Sequence, residues 1–582
     1  MEDLPFTLVD MSYNELMNEI ATIDQEDIPS DGESVVEDSD DDFDTGQIIQ
    51  DVILDPSSDS DSEDGKPLSI VQAKIKASTS GYGSQRDWSK HKSPKSPENF
   101  ISESGVTEKV KNMESPSPGK IYQLFLDDEI LDLIVFQTNL YSQQTSDRPK
   151  LTTREEVKTF LAINLLMGLK RLPSYRDYWS TSPEFHDPYI SSLMTVKRFS
   201  WLLSNLHLND NAIMPKRGEP GYDKLYKLRP FLNLLSQNFE SCMSPTKEVC
   251  IDESMIKFKG RSSLKQYLPK KPIKRGYKVW ILANKNGYCQ KFDIYTGKSN
   301  DPEKSLGARV VKGLLNGMEN KHHHVYFDNF FNSVELMESL KAKQIHACGT
   351  VNPNRKLLPN FTSDKKLKRG DSEVLTSNTE IVAIKWRDKR SVHLLSNFHK
   401  PEEFTEVSRK DKTGKVTNVP CPVALVDYNK NINSVDKFDQ NLNVYKTDRK
   451  SKKWWHRIFF YLNDASVVQA FVLYNELGLP KLSMKDFRKE IIRYLTAKTI
   501  VKNRRPKSTN VVAIKKKKPF VPIEVRFTES SHQPKRDTRR RCAKCSTSKK
   551  QIRTDWICSV CEVPLCLGKK KSCFQDYHLA RN

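Results

Sequence analysis

Residues 251–280 read IDESMIKFKGRSSLKQYLPKKPIKRGYKVW. The first third completes a β-rich run, EVCIDESMIKF (248–258), and the end opens another, GYKVWILANK (276–285); the middle is polar, basic and broken by Gly and Pro. Two strands joined by a loop are expected, with Asp252 inside the first. Working outward, GYCQKFDIYTG (287–297) and HHVYFDNFF (323–331) read as further strands, with the helical VVKGLLNGM (310–318) between them. Upstream, IYQLFLDDEILDLIVFQTNLY (121–141) spaces its apolar residues at helical intervals, and helices are expected at 153–169, 196–207 and 229–242. Downstream come a helix at 334–343, the strand-like IHACGTV (345–351), a polar stretch over 356–420 carrying EIVAIKW and SVHLLSNF, and helical pattern from Val435 to about Leu477 and over 484–496. Strands set between helical blocks predict an α/β core with helical flanks.

The formal net charge is +20, but residues 1–64 hold 22 acidic residues and no Lys or Arg. Removing those from the 74 acids leaves 52 against 94 basic residues, a surplus of +42 on the remainder. A folded body so charged repels itself unless a polyanion shares the space, which makes nucleic acid the expected partner. Residues 1–118 mix acidic runs with Ser-Pro pairs and lack hydrophobic periodicity, so they read as a disordered acidic tail. No run of 18 apolar residues occurs and the N-terminus is acidic, so no membrane partner is expected. The scattered Cys242, Cys250, Cys289, Cys348 and Cys421 suit a reducing, intracellular setting.

Metal-assisted phosphoryl chemistry needs several carboxylates converging on one point, since Mg²⁺ prefers oxygen ligands. Asp252 in one strand, Asp328 at the end of another, and Asp436 with Asp439 three apart on a helix could supply them. Spacing alone leaves open that Asp436 is a helix-start acid behind an Asn433 or Ser434 cap and that Asp328 is a turn residue before Asn329. The blocks 251–280, VYFDNFFNS (325–333) and VDYNKNINSVDKFDQ (426–440) resemble the three catalytic blocks of the piggyBac transposase family. The likeness extends to LFLDDEI with QTNLY, to MGLKRLPSYRDYW (167–179), to KLRPFL (227–232) and to the C-terminal cysteines, covering nearly everything after residue 120.

That resemblance implies a ribonuclease-H-like catalytic core over 247–355 and 423–446, interrupted by an insertion domain at 356–422 and flanked by a discontinuous helical dimerisation and DNA-binding domain at 119–246 and 447–500. It further implies a DDE/D-type cut-and-paste DNA transposase, dimeric and nuclear, with two Mg²⁺ (or Mn²⁺) ions held by Asp252, Asp328 and Asp436 and with Asp439 as an additional required acid. The implied reaction is nicking at the element's 3′ ends, hairpin formation across a TTAA overhang, hairpin opening and joining to a TTAA target. Trp455 matches a family tryptophan that would stack on an unpaired base, with core packing as its alternative. One departure is Asn433-Ser434, where the family usually has Gly-Gly or a similar pair before the third acid; both are good helix caps, so the helix is expected to start there and Asp436 to point inward. The rival readings are a domesticated DNA- or chromatin-binding derivative without transposition activity, and a repair nuclease.

The C-terminal segment 542–582 carries Cys542, Cys545, Cys558, Cys561, Cys566, Cys573 and His578, two CxxC pairs plus three soft ligands, and is expected to hold zinc. Two closed sites need eight ligands, and the resemblance points to His532 as the eighth, in a different site from Cys558. Too short to bury much core, the segment would draw its folding energy from two Zn²⁺ ions. Arg539, Arg540 and Arg541 beside it suit phosphate contacts. The basic linker 501–541 contains KNRRPK (502–507) and IKKKKPF (514–520), expected to serve nuclear import or backbone contact.

Overall fold

The structure, a computed structural model, describes residues 87–90, 94–269, 271–297, 305–410, 414, 416–503, 532–548, 550–568 and 572–579. The linker motifs, bar their first two residues, lie outside these, as does the tail up to residue 86. The chain divides into two units, Met1–Val501 and Lys502–Asn582.

The larger unit is built on a ten-stranded mixed sheet. In chain order its strands are β1 (Trp88–Ser89), β4 (Glu248–Lys257), β5 (Gln266–Tyr267), β6 (Arg275–Asn284), β7 (Cys289–Ile294), β8 (His324–Phe327), β9 (His346–Thr350), β10 (Ser372–Ser377), β11 (Val382–Arg387) and β12 (Ser391–Ser396). A small pair, β2 (Gly105–Val106) with β3 (Met243–Ser244), and a hairpin of β13 (Phe404–Lys410) with β14 (Val416–Pro422) stand outside it. β4 lies at its centre, antiparallel to β6 and parallel to β8, and β8 is parallel to β9. The stretch expected as an insertion adds β10, β11 and β12 to this sheet, with β12 pairing β9.

Helices cover both faces. α1 (Asp128–Thr145) and α2 (Arg154–Leu169) start where read, because Asp127 accepts from the Ile130 N–H and Thr153 from the Glu156 N–H. α3 (Arg229–Cys242), α4 (Leu306–Leu314) and α5 (Val334–Ala342) follow, then α6 (Val423–Asn431), α7 (Ser434–Val444), α8 (Trp454–Glu476) and α9 (Met484–Asn503). No described helix is long and apolar enough to cross a membrane.

Side-chain alternation along β4 and β6 sorts the core into two layers. Val249, Ile251, Trp280 and Leu282 pack with α4, α5, Phe327 and Phe331 on one face. Cys250, Ile256, Val279, Ile281 and Ala283 join the largest cluster on the other, with Val435, Phe438 and Leu442 of α7 and most of α8. α8 is buried nearly all round, as its apolar composition requires.

Two expectations are corrected here. Packing begins before Ile121: Trp88–Ser89 pairs with Ser377 and Thr376, Gly105–Val106 pairs with β3, and Val110 is fully buried. These are isolated apolar residues in polar sequence, so periodicity cannot reveal them. The helical run expected to open at Val435 opens instead at Val423 and is interrupted between α7 and α8.

The smaller unit, taken by itself, is a hairpin of β15 (Pro534–Arg541) and β16 (Arg553–Cys558) followed by α10 (Cys573–Leu579). Its core is six cysteines with Ala543, Val563, Leu565 and Phe574.

Candidate active site and C-terminal metal centres

The parallel register of β4 with β8 ends at Ile251 opposite Phe327. The next residues are Asp252 and Asp328, so the two acids lie side by side where β8 stops and β4 continues to Lys257. Clefts at the carboxyl ends of parallel strands are where α/β sheets present functional groups. Asp252 shares a face of β4 with Cys250 and Ser254, and both of those reach toward α6 and α7: the Cys250 thiol donates to the Ile432 carbonyl at 2.9 Å, and the Ser254 hydroxyl to Asp439 Oδ1 at 2.6 Å. The helix carrying Asp436 and Asp439 is thereby laid across the face that carries Asp252 and Asp328.

Asp252, Asp328 and Asp439, each half-buried, hold their protons more tightly than usual. Burial raises Asp252 well above the ordinary carboxylate range, with Glu253 the largest neighbouring charge, and it pushes Asp328 up to about 6 and Asp439 up to about 7. Neighbouring carboxylates that repel one another are what divalent cations neutralise. Asp328 is oriented by the Phe330 N–H, which donates to its Oδ1 at 3.0 Å. Asp439 is set apart: Tyr461 donates to Ser254 at 2.9 Å and Ser254 to Asp439, a buried chain that ties this acid to α8 and β4. Among the described residues, three or more His, Cys or acidic donors come within 4.8 Å only in the C-terminal unit, so the aspartates are brought to one cleft without being gathered to that spacing.

Three residues that sequence reasoning did not single out complete the cleft. Lys271 Nζ lies 2.9 Å from Glu253 Oε1. Burial works against the Lys271 ammonium, yet Glu253 and Asp252 outweigh it and hold it above its ordinary value. Lys278 on β6 is buried, and burial lowers its pKa. The available signal was that both lysines sit in the block containing Asp252; nothing in spacing says which lysines of a basic stretch turn inward. Beside α7, Lys257, Lys446, Arg449 and Arg457 line a further cleft.

Two local expectations fail. Asn433 makes no side-chain cap for α7, and the Ser434 hydroxyl donates back to the Asn431 carbonyl at 3.0 Å. The helix nonetheless starts where expected, with the Asn433 carbonyl accepting its first backbone bond from the Lys437 N–H, but Asp436 is exposed. Trp455 is not a surface platform: it is 3% exposed, packed in the largest core with its ring 5.9 Å from His207, while Trp454 is only partly buried.

In the C-terminal unit all eight soft ligands come together as two sets, His532 with Cys558, Cys561 and His578, and Cys542 with Cys545, Cys566 and Cys573. His532 Nδ1 lies 3.3 Å from Cys558 Sγ and 3.2 Å from Cys561 Sγ. His532 therefore shares its set with Cys558, contrary to the expected division. The sets interleave along the chain because the hairpin turns the 542/545 pair away from the 558/561 pair and toward Cys566 and Cys573. One Cys₂His₂ and one Cys₄ set are the donor chemistry of structural zinc. Arg539, Arg540 and Arg541 are exposed along β15.

The sequence profile of the family described as Transposase IS4 matches residues 117–471, which spans β4, β8, α7 and most of α8. The chain belongs to the Transposase IS4 family. Relatives of this transposase chain include the Homo sapiens PiggyBac transposable element-derived protein 3, 28% identical over 478 residues, covering 79% of this chain and 76% of the relative. PiggyBac transposable element-derived protein 2, also of Homo sapiens, is 28% identical over 561 residues and covers 90% of each. The transposase fold is shared with a chain of the cryo-EM structure of the piggyBac transposase synaptic complex with hairpin DNA, at a TM-score of 0.61 and 23% identity over 70% of this chain and 86% of that one.

Proposed function

We propose that the chain is a cut-and-paste DNA transposase whose Asp252, Asp328 and Asp436 hold two divalent metal ions and whose Asp439 is an additional required acid. The observation that carries this reading is that Asp252 and Asp328 directly follow the last β4–β8 register pair, Ile251 and Phe327, while Ser254 on the Asp252 face holds Asp439 of α7. The five strands ordered β7-β6-β4-β8-β9, an antiparallel meander continued by two parallel strands, support a ribonuclease-H-like core.

The donor set is oxygen-only, with Asp252 and Asp328 half-buried and Asp436 exposed, and oxygen donors suit Mg²⁺ or Mn²⁺. Bound there, such ions polarise a phosphate and ready a water or hydroxyl for attack. The chain's own part is to fix the acids on rigid elements and to hold DNA phosphates with cations such as Lys257, Lys446 and Arg457. Water nicks the 3′ ends, the freed hydroxyl attacks across a TTAA overhang to close hairpins, and after reopening the same hydroxyls join a TTAA target. A DNA partner is in keeping with the complex of the fold relative, a piggyBac transposase synaptic complex with hairpin DNA. The two C-terminal sets hold two Zn²⁺ ions, and the arginines beside them contact the element ends. We place the protein in the nucleus, as a homodimer.

A second reading, a domesticated DNA-binding derivative that no longer transposes, is favoured by the names of the human relatives, both "transposable element-derived". Mg²⁺-dependent cleavage of TTAA-flanked inverted-repeat DNA decides between them. Asp252→Asn, Asp328→Asn and Asp436→Asn are each expected to abolish cleavage with DNA binding nearly intact. Wild-type rates in any of the three overturn the metal assignment, and a wild-type chain that binds without cutting selects the second reading.

A further inference from the structure

Lys278 is a buried lysine beside the candidate cleft. It is 6% exposed, in a central strand, and its Nζ sits over two aromatic faces, 4.5 Å from the Trp280 ring centre and 4.8 Å from that of Phe330. The two rings are themselves stacked, 5.6 Å apart at 23°. Among the described residues no carboxylate oxygen comes within ion-pair distance of it. Glu253, the obvious candidate, is already paired with Lys271, and its second oxygen is buried with no hydrogen-bond partner. A buried ammonium is ordinarily matched by an anion, because stripping its water costs several kcal/mol that ring faces only partly return.

The position of Lys278 accounts for that cost. It lies on β6 opposite Met255, on the face of the sheet that carries Glu253 and Trp280, and its Nζ reaches across to Phe330 in the segment that follows Asp328. The charges that act on it are Glu253, Lys271, Asp328 and Asp252. Phe330, which supports its ammonium, follows Asp328 by two residues, and the Phe330 N–H orients the Asp328 carboxylate. One short segment therefore fixes both an acid of the centre and the seat of the lysine.

We propose that Lys278 is a phosphate ligand of this cleft, held by Trp280 and Phe330 so that its charge meets a backbone phosphate of the DNA strand lying at the aspartates. The inference rests on the transposase reading for its substrate class. It differs from a structural role in a way that can be measured: if the lysine serves DNA and not the fold, an apolar side chain of similar length removes an unmatched buried charge and leaves stability unchanged or higher.

The test uses the full zinc-loaded chain with Lys278→Met, Lys278→Arg and, in parallel, Asp252→Asn. The probe is a nicked TTAA-containing duplex, followed by fluorescence anisotropy across a salt series and by Mg²⁺-dependent cleavage. For Lys278→Met the expected results are an unchanged or raised Tm, affinity weaker by about tenfold, and a salt slope shallower by roughly one phosphate contact. Lys278→Arg is expected to recover most of the affinity, since it restores the charge. A lowered Tm in Lys278→Met makes the residue structural and overturns the proposal, as do an unchanged affinity and salt slope. Asp252→Asn separates the two readings: wild-type cleavage in that variant sinks the metal assignment, while the Lys278 binding results stand or fall on their own.

Discussion

Asp439 shows how closely one acid can sit to a reactive centre and yet be held by the scaffold. Its carboxyl takes the Ser254 hydroxyl and is pushed up to about 7 by burial, the neighbouring Asp436 adding to the effect. The unfolded chain titrates this group near 4. Between those values the native state binds the extra proton, so the contribution of Asp439 to stability is complete below about 4 and is lost as pH rises through about 7. Metal-free protein is expected to show a falling Tm across that window, and Asp439→Asn, neutral throughout, to flatten the fall; a slope unchanged by the substitution would remove Asp439 as its source. At this scale spacing only made the four acids candidates, and the resemblance of the blocks around them singled them out. Glu253, Lys271 and Lys278 were not legible, since which charged residue turns inward is decided by where β8 stops, a fact of register. Trp455 illustrates the converse: its chemistry suits stacking on a base, but its place on a helix buried all round decides otherwise. Trp455→Ala should therefore destabilise by about 3–5 kcal/mol in chemical unfolding, and an intact fold with weakened DNA binding would reinstate it as a contact residue.

Elements with strong periodicity or caps were read nearly to the residue: α3 spans Arg229–Cys242 and α5 Val334–Ala342, against expectations of 229–242 and 334–343. α6 escaped notice because Pro422 and a β-rich stretch precede it, and helix signals are weak beside strand signals in so short a run. The C-terminal hairpin is the element whose composition said most and whose connectivity said least. Seven ligands and a possible eighth were visible, but the partition into sets depends on how β15 and β16 fold back. Zinc titration of the full chain is expected to reach two equivalents. His532→Ala and Cys558→Ser should weaken the same site, and Cys542→Ser the other. Loss of different ions in the first two variants, measured by metal content after dialysis, would contradict the pairing.

For the whole molecule, the cores of the two units are separate, and the C-terminal one is small and thiol-rich. Deleting residues 532–582 is expected to leave the thermal transition of the larger unit in place and to keep salt-sensitive, nonspecific DNA binding, while footprints on element ends disappear. An unchanged footprint would move the smaller unit to a protein-binding role.

The register that sets Asp252 beside Asp328 has a further consequence, in time. The contacts that close the cleft join residues far apart along the chain: Cys250 meets Ile432, and Ser254 meets Asp439 and Tyr461. Contacts of such long sequence separation form late, because a large loop must close before they reward it. During synthesis, Asp252 and Asp328 emerge long before α7 and α8. A growing chain thus carries two of the four candidate acids with nothing to complete them, and on the proposed reading any competence to cut DNA would arrive only once α7 and α8 have folded, so that the order of folding would keep an unfinished chain harmless.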